Sequence, residues 1–120
     1  MKHQKIFLVD DSELILETLA RLIKQTPFII AGIAKNVATA LEWLASNQTD
    51  AIILDLNLPD GNGLDILNWL NKSGYNAEVI VLSNFTSEPV ASEALKAGAR
   101  KVFDKSSEID SFIAYLQSRC

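Results

Sequence analysis

Five side chains in this sequence could share one piece of chemistry. They are the adjacent carboxylates Asp10 and Asp11 after "IFLV", Asp55 after "AIIL", Ser83 after "EVIVL", and Lys105 shortly after "KVF". Each stands just beyond a short apolar run. Two unit charges about 4 Å apart interact by roughly 4 kcal/mol at an effective dielectric of about 20, so three converging carboxylates either protonate or hold cations. One lysine does not balance three. Hard oxygen donors with room for water suit Mg2+, which is commonly held by one or two carboxylates together with phosphate oxygens. Other reactive types are scarce. The single histidine, His3, precedes the first apolar run, and the single cysteine, Cys120, is the last residue. A zinc site, a Cys/His pair and a Ser/His/Asp triad are therefore not expected, and no disulfide framework is possible within the chain.

Whether these groups meet depends on the elements that carry them. The apolar runs "IFLV" (6–9), "FIIAGIA" (28–34), "AIIL" (51–54), "EVIVL" (78–82) and "KVF" (101–103) are mostly β-branched or aromatic. Their consecutive rather than alternating apolarity predicts strands buried on both faces, as in a parallel sheet. Between them, spacings of three and four predict helices around Ile15, Leu19, Leu22 and Ile23; Val37, Ala40, Leu41, Leu44 and Ala45; Leu64, Leu67 and Leu70; Val90, Ala94, Leu95 and Ala97; and Ile109, Phe112, Ile113 and Leu116. Pro27 keeps the first from running on, and Gly74 and Gly98 stand where the third and fourth should end. Five strands alternating with five helices predict an α/β fold of the (βα)5 type. That is a doubly wound, flavodoxin-like parallel sheet of order 2-1-3-4-5 with helices on both faces. Ligands of such folds bind outside the carboxyl ends of the strands. In this order strands 1, 3 and 4 are neighbours, so Asp10, Asp11, Asp55 and Ser83 should converge with Lys105 alongside.

The whole chain agrees with a small soluble domain. With 120 residues and 48% hydrophobic composition, it suits one domain spanning 1–120. Eleven Lys and Arg against 15 Asp and Glu leave a net charge of −4, which attracts neither nucleic acid nor an anionic membrane. No apolar run approaches the length of a membrane span or a signal sequence. The lone thiol fits a reducing, cytoplasmic setting.

At this point the residues carry a resemblance. "LVDDSELI", "AIILDLNLPDGNGLDIL", "VIVLSN" and "AGARKVFDKSS", in that order, resemble the acidic pair, phosphoacceptor segment, Ser/Thr-ended fourth strand and lysine loop of the receiver domains of two-component response regulators. The resemblance covers essentially the entire chain. It implies that Asp55 is the nucleophile that takes a phosphoryl group from a phosphohistidine on a sensor histidine kinase or phosphotransfer protein. It implies that Asp10, Asp11, Asp55 and the backbone carbonyl of Asn57 serve a Mg2+ ion, with Asp11 favoured as the direct ligand, and that Lys105 and Ser83 contact the phosphoryl group. The expected output is a shifted face of helix 4, strand 5 and helix 5 that binds an effector domain or a second copy. The implied protein is a signalling domain that catalyses only its own phosphoryl transfer and autodephosphorylation. The switch positions are Ser83, Val102 and Phe103. Here the sequence departs from the usual pattern: Val102 stands where an aromatic residue is usual, Ser106 follows the lysine where proline is frequent, and Asn84 and Phe85 are bulkier than usual. Both are expected to alter water access to a phosphorylated Asp55.

Plainer readings exist for each residue. Asp10, Asp11 and Ser12 are also good caps for helix 1, Asp55, Asn57 and Asp60 suit turns, and Pro59 and Gly63 shape the loop before helix 3. Trp43 and Trp69 are expected to be partly buried. Two other functions compete with a receiver. One is a Mg2+-dependent phosphohydrolase using Asp55 as nucleophile, against which stand "DLN" after the third strand and the absence of room for a cap. The other is a phosphorylation-independent interaction module of receiver shape.

Overall fold

The computed structural model describes residues 4–84 and 89–119, so His3, Phe85 and Cys120 lie outside the described residues. Strands β1 (Gln4–Val9), β2 (Phe28–Ala34), β3 (Ala51–Leu54), β4 (Glu78–Ser83) and β5 (Lys101–Asp104) form one sheet in which every pairing is parallel. The order is β2-β1-β3-β4-β5, as expected. Helices α1 (Glu13–Ile23), α2 (Val37–Ser46), α3 (Gly63–Ser73), α4 (Val90–Lys96) and α5 (Ile109–Gln117) follow the strands in turn. Between β3 and α3 the chain makes a two-residue antiparallel ribbon, Asn57–Leu58 against Gly61–Asn62.

Alternate residues of the central strands feed two cores. Phe7, Val9, Ile52, Leu54, Val79 and Val81 pack with residues of α2, α3 and α4. Ile6, Leu8, Ile53, Ile80 and Leu82 pack with residues of α1 and α5 on the opposite face. This is why their sequences are apolar at consecutive positions: side chains alternate between faces, and both faces are covered. Each large aliphatic or aromatic side chain buried this way contributes roughly 1.5–3 kcal/mol.

The edge strand β2 departs from that expectation. Its burial alternates, leaving Ile29 46% and Ile33 45% exposed. The register also slips, with Ile6 opposite Ile30 but Phe7 opposite Gly32, so Ala31 forms a bulge. The bulge places Gly32 under Trp43, whose ring stacks on Phe7 with centroids 4.0 Å apart. A Cβ at Gly32 would lie 2.7 Å from the indole nitrogen, so the partly buried Trp43 requires glycine there. Trp69 is also partly buried, as expected.

Helix boundaries follow local chemistry. Ser12, Asn36 and Asn62 accept hydrogen bonds from the free N–H groups that open α1, α2 and α3. Gly74 ends α3 at φ 69°, and Gly98 follows α4 at φ 115°, both left-handed conformations that only glycine adopts cheaply. Two helical faces differ in detail from the periodicity. In α1 the buried residues are Leu16, Leu19 and Ile23, while Ile15 turns toward the carboxyl edge of the sheet. In α4 only Ala94 is fully buried and Leu95 is 48% exposed, because this seven-residue helix presents a narrow seam to the sheet.

Candidate functional site

The parallel ladders continue one residue past the strand ends, and this aligns the site. The N–H of Asp10 donates to Ala34 O (3.0 Å), that of Asp55 to Val9 O (2.9 Å), and that of Lys105 to Ser83 O (2.9 Å). Residues from distant segments are thereby registered along one edge. The loop after Asp55 folds back tightly: Gly63 N–H donates to Leu56 O, and a Cβ on Gly63 would sit 2.5 Å from the Asp55 carbonyl oxygen. Glycine is required there by close approach, which bears out the geometric role expected of it.

The side chains converge. Ser83 Oγ donates to Asp55 Oδ1 at 2.9 Å, and the Asn57 N–H donates to the same oxygen at 3.1 Å. The Lys105 ammonium lies 3.0 Å from Asp55 Oδ2 and 2.7 Å from Asp10 Oδ2. The other Asp10 oxygen accepts the Ser12 N–H at 2.8 Å, so this aspartate also organises the entry to α1, while Ser12 rather than Asp11 is the cap. Asp10, Asp11 and Asp55 each offer an oxygen, and these three oxygens lie within 4.8 Å of one another.

Burial makes these contacts strong. Asp10 and Asp55 are each 3% exposed and Ser83 is fully buried, whereas Asp11 is open to solvent. Burial pushes the Asp10 carboxyl above the ordinary range, against the opposing pull of Lys105 and the Ser12 N–H. Burial alone would lower Lys105, but its hydrogen bonds to Asp10 and Asp55 outweigh that effect and leave its pKa raised. Lys105 is therefore a cation at neutral pH. Three carboxylates against one ammonium still leave two negative charges uncompensated when all are ionised. An all-oxygen donor set with that deficit fits a hard divalent cation.

Asp55 reaches solvent through a cleft of about 380 Å³ lined by Asp11, Ser12, Ile15, Asn57, Asn84, Lys105 and Ser106. A larger hollow of about 640 Å³ lies beside β2, but its charged groups, the Glu13–Lys35 ion pair and Glu17, are exposed. The buried polar groups converge on the smaller cleft, and the chemistry belongs there. Asn84 is exposed at its rim.

The two other expected switch positions look to opposite sides of β5. Val102 packs against the core beneath α2, α3 and α4. Phe103 meets Phe112 edge-on and Tyr115 at a tilt, both with centroids 5.9 Å away, in the core beneath α1 and α5. Phe103 is thus a partly buried residue of strand five that packs against this core.

Two carboxylates have roles that the sequence reading did not assign. Asp60, legible only as turn chemistry, accepts the N–H groups of Val37 (2.7 Å) and Ala38 (3.0 Å) and so ties the loop after Asp55 to the start of α2. Those bonds, with only a small opposing effect of burial, hold its carboxyl below the usual range. The contact spans 23 residues, a separation over which no local pattern operates. Asp104 binds its own following loop, through a signal that was present: an Asp followed two residues later by Ser-Ser.

A five-stranded doubly wound α/β domain, with an acidic pocket bridged by lysine at the carboxyl ends of its strands, defines the class. Comparison with known proteins makes it specific: residues 6–117 match the model of the response regulator receiver domain, and the chain belongs to that family. It is accordingly a signalling domain of the two-component type. It is 30% identical over 97 residues to the chemotaxis protein CheY of Thermotoga maritima, covering 81% of each chain. It is 33% identical over 96 residues to the DNA-binding transcriptional activator DevR/DosR of Mycobacterium tuberculosis, covering 79% of this chain but only 44% of that protein. A crystal structure of a response regulator protein from Burkholderia pseudomallei, with a phosphorylated aspartic acid, a calcium ion and citrate, superposes with a TM-score of 0.81. It shares 28% identity, over 96% of this chain and 67% of that one.

Proposed function

We propose that this domain accepts a phosphoryl group on Asp55 from a phosphohistidine donor and signals by the change that follows. One observation carries the reading: Asp55 touches both the buried hydroxyl of Ser83 and the ammonium of Lys105, and shares its acidic cluster with Asp10 and Asp11. The phosphorylated aspartic acid of the structurally similar Burkholderia protein supports it. In the transfer an Asp55 carboxylate oxygen attacks phosphorus and the phosphorus–nitrogen bond to imidazole breaks. The bonding pair stays on the imidazole nitrogen, and an acyl phosphate forms. Mg2+ held by Asp10, Asp11, Asp55 and the Asn57 carbonyl would supply positive charge to the transferring oxygens.

The chain's own residues set the conditions of that step. Both oxygens of Asp55 already have donors, Ser83 and Asn57 on one and Lys105 on the other. An oxygen that attacks must exchange its donor. Ser83 and Lys105 are suited to follow the charge, because a hydroxyl rotates freely and an ammonium rides on a flexible stem. Once Ser83 bonds a phosphoryl oxygen rather than Asp55, the end of β4 and, with it, α4 are biased toward a second arrangement. The face formed by α4, β5 and α5, where Leu95 is half exposed, then meets an effector domain or a second copy. A cytoplasmic setting fits partners of this kind. Among the described residues no helix is long and apolar enough to cross a membrane.

Incubation with acetyl phosphate and Mg2+, followed by intact mass measurement, tests the assignment. The expected result is a gain of one phosphoryl group that is absent from Asp55→Ala. No gain in the wild-type protein contradicts it. Continued turnover of phosphate esters would instead indicate a hydrolase, and partner binding undiminished in Asp55→Ala would indicate an interaction module that works without phosphorylation.

A further inference from the structure

Lys105 has to bring a charged group on a long flexible stem to a point between two buried carboxylates. Its own N–H is fixed to Ser83 O, but the residues that follow are Ser106 and Ser107, neither of which restricts the backbone as proline would. Something else holds this loop. The Asp104 Oδ1 atom accepts the N–H of Ser106 (2.9 Å), the hydroxyl of Ser106 (2.7 Å) and the N–H of Ser107 (3.1 Å). The Asp104 N–H donates to Glu108 Oε1 (2.8 Å), and its carbonyl accepts the Glu108 N–H (2.9 Å). Asp104 and Glu108 thus close a five-residue loop with Lys105 inside it. The hydroxyl and N–H bonds of Ser106 hold the Asp104 carboxyl down to about 2, so it is a full acceptor at any physiological pH.

The bonds of the Asp104 carboxylate lie outside the helix. The helix α5 begins at Ile109, and Asp104 satisfies N–H groups two and three residues before it. Glu108 occupies the N-cap without a side-chain capping bond. What the arrangement orders is the turn that sets the direction in which Lys105 leaves the backbone. The far end of that side chain is only 8% exposed and contacts Asp10 and Asp55.

We propose that Asp104 is a positioning residue for phosphoryl acceptance, locking the loop so that the Lys105 ammonium is delivered to Asp10 and Asp55 rather than to solvent. The proposal rests on the assignment of Asp55 for its kinetic consequence, but not for its structural one. The test uses both.

At saturating Mg2+, Asp104→Ala should slow phosphoryl uptake from acetyl phosphate on the order of 10-fold, since small misplacements of a catalytic group carry large rate penalties. Asp104→Asn keeps an acceptor oxygen in the same place, neutral and weaker but of a type equally favoured in such turns, and should restore the rate to within about 2-fold. In a Lys105→Ala background, Asp104→Ala should have no further effect, because the two residues act as one unit. An equal loss in both backgrounds, or a wild-type rate in Asp104→Ala, overturns the proposal. In the unphosphorylated, metal-free protein, the slowly exchanging Lys105 ammonium should give a side-chain nitrogen–proton NMR signal that Asp104→Asn retains and Asp104→Ala loses. If the wild-type protein takes up no phosphoryl group, the Asp55 assignment fails and this signal still decides: its persistence in Asp104→Ala overturns the positioning role.

Discussion

Lys105 sits where the requirements of the resting and the reacting states conflict. At rest it neutralises part of a buried acidic cluster, lying 2.7 Å from Asp10 and 3.0 Å from Asp55. On the proposed reading the same ammonium would move to the phosphoryl group during transfer, and a divalent cation held by Asp10, Asp11 and Asp55 would supply positive charge among the carboxylates in its place. Lys105→Ala should therefore destabilise the metal-free protein by roughly 3–5 kcal/mol, the usual cost of stripping one partner from a buried pair. Saturating Mg2+ should recover much of that loss, because an ion that binds only the folded state stabilises it. Urea denaturation of wild type and variant, with and without Mg2+, measures this. A loss that Mg2+ leaves unchanged would show that lysine and metal do not share the site. Phosphoryl uptake by the variant should stay slow even when its stability is restored, since charge on the transferring group is a separate need.

At the scale of the elements, the site is held by backbone rather than by the reacting side chains. Ladder bonds at Asp10, Asp55 and Lys105 set their positions along the edge, and the return of the β3–α3 loop at Gly63 fixes the segment after Asp55. A methyl group at position 63 would meet the Asp55 carbonyl at 2.5 Å, and that obstacle is main chain, which cannot swing aside. Gly63→Ala should cost roughly 1–3 kcal/mol by overpacking and impair phosphoryl uptake as Asp55 is displaced. An unchanged urea midpoint would mean that the loop relaxes freely. The central elements were legible because two-sided burial writes itself as runs such as "AIIL" and "EVIVL". The edge strand β2 carries the same kind of run, "FIIAGIA", yet exposes Ile29 and Ile33. Whether a strand lies at the edge is a property of the sheet, and no residue within the strand records it.

Across the whole molecule, the site could be read from sequence because strand order is a small menu. Once five parallel strands take the order 2-1-3-4-5, Asp10, Asp55 and Ser83 have to be neighbours. The local bonds of Asp104 around Lys105 had a signal in the Ser-Ser that follows it. What could not be read was the contact that depends on how loops lie, Asp60 reaching α2 across the carboxyl edge. Nor does a valine or a phenylalanine say which face of β5 it takes, and Val102 and Phe103 take opposite ones. The account as a whole stands on the claim that Asp10, Asp11, Asp55 and Lys105 form one cation-dependent phosphoacceptor pocket. Peptide mapping of the protein after exposure to acetyl phosphate, with Mg2+ or with a chelator in its place, tests it most directly. The account predicts phosphate on Asp55 alone and only when Mg2+ is present. Phosphate on another residue, or on Asp55 in equal amount with the chelator, would contradict it.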